Sequence, residues 1–347
     1  MALTQVEGLP GAPWDRPLKG TLDRVVVESE LLAGNPLGDP ERRPLYIYVP
    51  KGASGALPTV YLIQGLTGQL DMWLNRRAFE PNIVERIDSA ISGGDCPPCL
   101  VVFVDAWTSY GGSQFINSIA TGPYMDYLCD EVVPWIDAHY PTTPSRDARG
   151  LTGHSSGGYG AMVVPMLRPD VFGALASSAG DALFEVCYLP GFRETVRMLR
   201  DKFEGSYEVF WERFRSGDHV DTDRFGPMND YAMAACYSPD PANPGSALLP
   251  FDVGSGKLIP EIWEQWLGWD PVRLAAKHAD DLRSMKLIHV DGGRSDEWFL
   301  ELGARAFADA VEEMGIECNY ELFDGTHSGL TYRYPKHVKM LAEALTA

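Results

Sequence analysis

Apolar positions along the chain fall into two periods that alternate from end to end. Short runs at Arg24–Glu30 and Pro44–Pro50, rich in β-branched and aromatic residues, read as early strands. Pro58–Ile63 and Leu100–Val104 are unbroken apolar runs, as expected of strands buried on both faces. Between them Phe79–Ile91 has helical spacing, and Tyr124–His139 has it more strongly, with Tyr127, Leu128, Val132, Val133, Trp135 and Ile136 on one face. A strand ending at Gly150-Leu151-Thr152 precedes a helix over Tyr159–Leu167. Further strands are predicted at Phe172–Ser178, Lys286–Val290 and Glu317–Phe323, with helices at Glu297–Met314 and Tyr334–Leu345. Alternation of this kind predicts an α/β fold, a mostly parallel central sheet with helices on both faces.

The alternation fails between about Asp181 and Asp281. That interval carries two helix-like stretches, Phe192–Phe214 and Pro260–Leu267, with a looser Pro/Asp/Gly-rich portion between them, and Asp270-Pro271 reads as the N-cap and first residue of another helix. We expect one domain over residues 1–347 with a cap-like insertion at about 182–280. Trp263, Trp266 and Trp269 are expected to pack the insertion onto the body, with pocket lining as the alternative.

Composition narrows the function. The 347 residues include 29 basic and 48 acidic side chains, a net charge of -19, which repels phosphate backbones and anionic membrane surfaces. Neither a secretory leader nor a membrane span is evident, and six scattered cysteines fit a reduced, cytoplasmic protein. Cys96-Pro97-Pro98-Cys99 leads into an apolar strand rather than a helix, so it reads as a loop and not a redox or zinc site. Asp218–Asp223 lacks the Gly and Glu spacing of a calcium loop and reads as a solvated acidic segment.

Candidate chemistry concentrates at Gly153-His154-Ser155-Ser156-Gly157, a G-x-S-x-G where a strand should turn into a helix. A serine hydroxyl needs an imidazole base and an acid to orient it. Of the seven histidines, His327 lies in a loop, Asp324–Gly329, past the last strand, at the sheet edge where Ser155 should sit. His154, beside the nucleophile, should point away from it. Asp296 is the preferred acid, one turn beyond the strand Lys286–Val290, with Asp291 as the alternative. The oxyanion amides are expected from Ser156 and from Leu66 in Gln64-Gly65-Leu66-Thr67-Gly68. Trp107, Tyr110 and Gln114, past another strand end, are candidate substrate contacts or packing residues.

Ile63–Gly68, the run Gly153–Ala161 and the Asp296 and His327 segments together resemble the esterase D family, which includes S-formylglutathione hydrolases, feruloyl esterases, enterochelin esterases and mycolyltransferases. The resemblance covers roughly residues 20–180 and 280–345. It implies an α/β-hydrolase fold and a cofactor- and metal-free Ser155–His327–Asp296 mechanism, with Leu66 and Ser156 at the oxyanion. Gln64 stands where the family's loop commonly has histidine, and the cysteine typical of the formylglutathione branch after Leu66-Thr67 is missing. The expected function is a serine carboxylesterase acting on a small-molecule ester. An acyltransferase or thioesterase on the same residues is the alternative, a non-catalytic binding module the third reading, and a homo-oligomer is compatible with all three.

Overall fold

The computed structural model of the chain describes residues 16–52, 55–77, 79–216 and 225–346. The acidic segment Asp218–Asp223 lies outside them.

Eight strands form one sheet: β1 Thr21–Glu28, β2 Arg42–Val49, β3 Thr59–Ile63, β4 Leu100–Val104, β5 Arg149–His154, β6 Ala174–Ser178, β7 Leu287–Gly293 and β8 Asn319–Phe323. Their spatial order is β1-β2-β4-β3-β5-β6-β7-β8. β2 runs antiparallel to β1 and β4, and every other pairing is parallel. The apolar runs of the central strands are thereby explained. In β3, Val60 and Leu62 enter one core, against helices α1 (Ile83–Ser92) and α10 (Arg333–Thr346), while Tyr61 and Ile63 enter the opposite core. That second core is covered by α2 (Val133–His139) and α3 (Ser156–Leu167).

Several boundaries shift for local reasons. The first helix begins at Ile83 rather than Phe79, because Asn82 and Glu85 form a reciprocal capping box. The helical run Tyr124–His139 is continuous but widens into a π-type stretch over Tyr127–Val132. Phe192–Phe214 divides into α4 (Phe192–Lys202) and α5 (Tyr207–Arg215), since Glu204 and Gly205 take positive φ (58° and 70°) and Ser206 caps the second helix.

The stretch read as loose holds a helix, α6 (Phe225–Tyr237). Its Gly226 and Pro227 sit in the first turn, where a proline costs no hydrogen bond. α7 (Pro260–Leu267) and α8 (Pro271–Ala275) follow as expected, and Asp270 caps α8. These helices share one apolar core with β6, β7, α3 and α9 (Leu300–Glu313), including Leu175, Val290 and Phe307 beside Phe192 and Trp266. Trp266 is fully buried and its Nε1 donates to Ser238 at 2.8 Å. Trp263 and Trp266 thus pack the segment onto the body, and Trp269 holds it through a hydrogen bond from Tyr159 to its carbonyl at 3.1 Å. Among the described residues no helix is long and apolar enough to cross a membrane.

Candidate active site

The C-terminal ends of β3, β5, β6, β7 and β8 meet at one edge of the sheet, where loops carry polar side chains over the core. Ser155 sits between β5 and α3 with φ 59° and ψ -127°. Such a backbone is strained for a residue with a Cβ, and it persists because the surroundings fix it. The Ser155 amide donates to the Ser178 carbonyl at 3.0 Å, and its own carbonyl accepts from Tyr159 at 2.9 Å.

The flanking glycines are required by contact. A Cβ on Gly153 would lie 2.5 Å from the Gly157 carbonyl, and one on Gly157 would lie 2.5 Å from the Ile63 carbonyl. The bend therefore presses β5, α3 and the end of β3 together and leaves the Ser155 hydroxyl at the N-terminus of α3, where the helix dipole favours negative charge.

His327 reaches Ser155 from the loop after β8: its Nε2 lies 3.1 Å from the Ser155 Oγ. Its Nδ1 lies 2.8 Å from Asp296 Oδ2, and the Asp296 side chain is fully buried. Backbone bonds set both loops. Asp296 N donates to the Gly293 carbonyl at 3.0 Å, Ser295 N to Gly325 at 2.9 Å, and Trp298 N to Asp296 Oδ1 at 2.8 Å. The His327 amide is held by Glu297 at 2.8 Å.

Asp291 has a different set of neighbours. Its Oδ1 accepts from Ser178 at 2.6 Å, while Oδ2 meets His337 at 2.7 Å, His289 at 3.3 Å and the Arg333 guanidinium. Burial pushes this carboxyl up, but hydrogen bonds from His289 and His337 and the charges nearby outweigh burial and hold it well below the usual carboxylate range. His289, Asp291 and His337 lie within metal-ligating reach of one another. Arg333 already supplies the cation for this carboxylate.

His154 does not point away as expected. Its ring lies 4.4 Å from the His327 ring and lines the same cavity. Burial and the neighbouring His327 push its pKa down to about 3, so it stays neutral.

Leu66 and Ser156 bracket Ser155 in a cavity of about 540 Å³. Among the described residues neither amide donates to another group, so both are free to face an oxyanion. A second cavity of about 360 Å³ shares Met72, Asn75, His327 and Tyr334 with the first. His327 thus borders both lobes, while Ser155 opens into the larger one.

The three candidate substrate contacts lie elsewhere. Trp107 lines a separate groove with Tyr46 and Asp105. Tyr110 is buried against Trp211 and Tyr231, and its hydroxyl donates to the Gly245 carbonyl at 2.8 Å. Gln114 is buried behind the cavity wall, donating to Asp181 at 3.0 Å and Tyr237 at 2.6 Å. All three belong to a long loop after β4, which leaves Trp107 at the surface and then carries Tyr110 and Gln114 under the helical segment.

Sequence reading missed the wall itself: Asp181, Tyr188, Asn229 and Trp298. Asp181 was within reach, because it follows a strand end at the same sheet edge. Cys96 and Cys99 are buried in the turn before β4, remote from the cavity lining, and all six cysteines are free thiols.

The putative esterase family profile matches residues 40–335. Mouse S-formylglutathione hydrolase is 25% identical over 142 residues, 38% of this chain and 50% of that protein, so the match spans half the length of the curated relative. The S-formylglutathione hydrolase of Agrobacterium tumefaciens superposes with a TM-score of 0.57 at 17% identity, covering 95% of this chain and 98% of that one. A ferulic acid esterase does so with a TM-score of 0.56 at 17% identity, covering 94% and 100%. These likenesses identify the fold as that of α/β-hydrolase esterases, and with the family match over most of its length the chain belongs to the putative esterase family of hydrolases.

Proposed function

We propose that the protein is a serine carboxylesterase with Ser155 as nucleophile, His327 as general base and Asp296 as the acid that orients it. The observation that carries this reading is the hydrogen-bond chain Ser155–His327–Asp296, at 3.1 and 2.8 Å, opening into the larger cavity. The Ser155 Oγ attacks the ester carbonyl as its proton passes to His327 Nε2. Buried Asp296 holds the other ring nitrogen protonated and stabilises the imidazolium. Charge developing on the carbonyl oxygen is met by the Leu66 amide in the loop after β3 and the Ser156 amide at the start of α3. His327 returns the proton to the leaving alcohol, and a water, activated by the same ring, then releases the acid.

The two lobes beside His327 suit the two halves of an ester. We read residues 182–280 as a cap on a single α/β-hydrolase domain, since α6 supplies Phe225 and Asn229 to the cavity. Free thiols throughout fit a cytoplasmic setting.

The test is hydrolysis of p-nitrophenyl esters from acetate to octanoate by wild type and Ser155→Ala. Loss of turnover by at least about 10³-fold in a folded variant is expected; undiminished turnover overturns the assignment. Similarity to mouse S-formylglutathione hydrolase supports a thioester as a second substrate class. Assay of S-formylglutathione alongside the oxygen esters decides between them.

A further inference from the structure

The larger cavity contains a carboxylate that the reaction does not use. Asp181 follows β6, is 7% exposed, and lines the cavity beside Ser155 and Ser156. Its Oδ2 is crowded with neutral donors: Tyr188 at 2.8 Å, Gln114 at 3.0 Å and the Ser156 hydroxyl at 3.3 Å. Its Oδ1 takes no donor from the described residues and is open to the cavity.

Three hydrogen bonds on one oxygen fix the carboxyl in a single orientation, with the other oxygen presented to whatever enters. Among the described residues lining the cavity, Asp181 is the one carboxylate, and no lysine or arginine is present. His154 is held neutral, and His327 is engaged with Ser155 and Asp296. Burial pushes the Asp181 carboxyl up toward its neutral form, and a cationic ligand at the open oxygen would supply the partner that keeps it ionised.

The other walls suit the same ligand. Tyr188, Phe225 and Trp298 give the cavity aromatic surface, the last two with ring centroids 4.9 Å apart. Aromatic faces stabilise a desolvated ammonium, and a chain with net charge -19 draws cations toward it.

We propose that Asp181 makes this a cavity for esters that carry a protonated amine, whose N–H is received by Asp181 Oδ1. The proposal rests on the serine-esterase reading and narrows its substrate class. Asp181 acts here as a specificity residue; the bond to Ser156 gives it a separate structural contact with the residue after the nucleophile. A purely structural carboxylate would serve all substrates equally.

The experiment compares isosteric pairs that differ only in an ammonium against a methine. On the acyl side these are the ethyl esters of 4-(dimethylamino)butanoic acid and 5-methylhexanoic acid. On the alcohol side they are the acetates of 2-(dimethylamino)ethanol and 3-methylbutanol. The expected result is a kcat/KM preference of wild type for the amine member of one pair by about tenfold or more. Asp181→Asn should collapse that preference toward unity while the alkyl ester is still hydrolysed. The wild-type ratio stands as a test even where the variant folds poorly. Where turnover of all four is too slow to measure, the corresponding N-methylamides of the two acids and N-acetyl amides of the two alcohols' amine analogues are compared as protectants of Ser155 against a fluorophosphonate. Equal treatment of both members of each pair overturns the proposal, as does an Asp181→Asn variant that slows amine and alkyl esters by the same factor. Failure of the fluorophosphonate to label Ser155 strikes the esterase reading instead, so the two failures are distinguishable.

Discussion

Asp296 and Asp291 leave the same strand, yet Asp296 meets His327 at 2.8 Å and Asp291 meets His337 at 2.7 Å. One carboxylate, itself buried, faces the serine site through a partly exposed imidazole. The other is the centre of an ion network with Arg333 under the sheet edge. Replacement should separate the two roles.

Asp296→Asn should lower kcat by about 10⁴-fold, because the amide favours the wrong His327 tautomer, with little change in stability. Asp291→Asn should instead destabilise the fold by about 3–5 kcal/mol, since it leaves Arg333 and two imidazoles without their buried anion. Its pH signature follows from the depressed pKa. The folded carboxyl titrates below its unfolded value of about 3.9, so its contribution is present above that pH and is lost as pH falls below it. Denaturant titrations from pH 5 to 2 should show a steeper loss for wild type than for Asp291→Asn. A rate loss centred on Asp291 with unchanged stability would reverse the two assignments.

His154 offers a second pH test. Its folded pKa of about 3 lies below the unfolded value of about 6.5, so between these limits the unfolded chain binds the extra proton. Stability is unaffected by this group above about pH 6.5 and falls as the pH drops toward 3. His154→Phe should make that fall shallower, measured as thermal midpoints between pH 7 and 4. An unaltered slope would mean that His154 is charged in the folded protein.

The elbow makes a steric prediction. Gly157→Ala places a methyl 2.5 Å from the Ile63 carbonyl and 2.8 Å from that of Gln64, both backbone atoms at the end of β3. Backbone cannot yield as a side chain tip does, so a cost of about 3 kcal/mol is expected, and the Leu66 amide should move with β3. Gly191→Ala, where nothing lies within 4 Å, is the control and should be near neutral. Equal stability of the two variants would refute the contact argument.

Much of this site was legible because its residues obey local rules. An elbow serine needs small neighbours, and a base and an acid on loops after later strands follow from the sheet's direction. The parallel strands were legible for a similar reason, as in β3, where both faces are buried and the run is wholly apolar. What escaped was set by long-range packing. α6 is hidden by Gly226, Pro227, Asn229 and Asp230, which look like a loop until apolar neighbours surround the helix. Tyr110 and Gln114 follow a strand end at the correct edge, but the loop carrying them folds beneath the helical segment. Alternation along an uninterrupted strand would turn His154 away from Ser155, but it stops applying where the backbone turns at Ser155.

Asp270 links that segment to the cavity. Its carboxylate is fully buried and accepts from Leu183 N at 3.1 Å, Phe184 N at 2.9 Å and Val272 N at 3.0 Å. It thereby caps α8 and fixes the start of the turn that carries Cys187 and Tyr188 to the cavity wall. Leu183 has a φ of 56°, a conformation that needs such support. Asp270→Ala should cost about 3 kcal/mol, because three amides lose their acceptor in a dry site. Well below the melting temperature the remaining folded enzyme should show a raised KM with a smaller change in kcat, since the wall moves and the Ser155–His327–Asp296 chain does not. Equilibrium unfolding and steady-state kinetics on the same preparation check both halves. A drop in kcat with KM unchanged would place Asp270 in the support of the reacting groups rather than of the substrate wall.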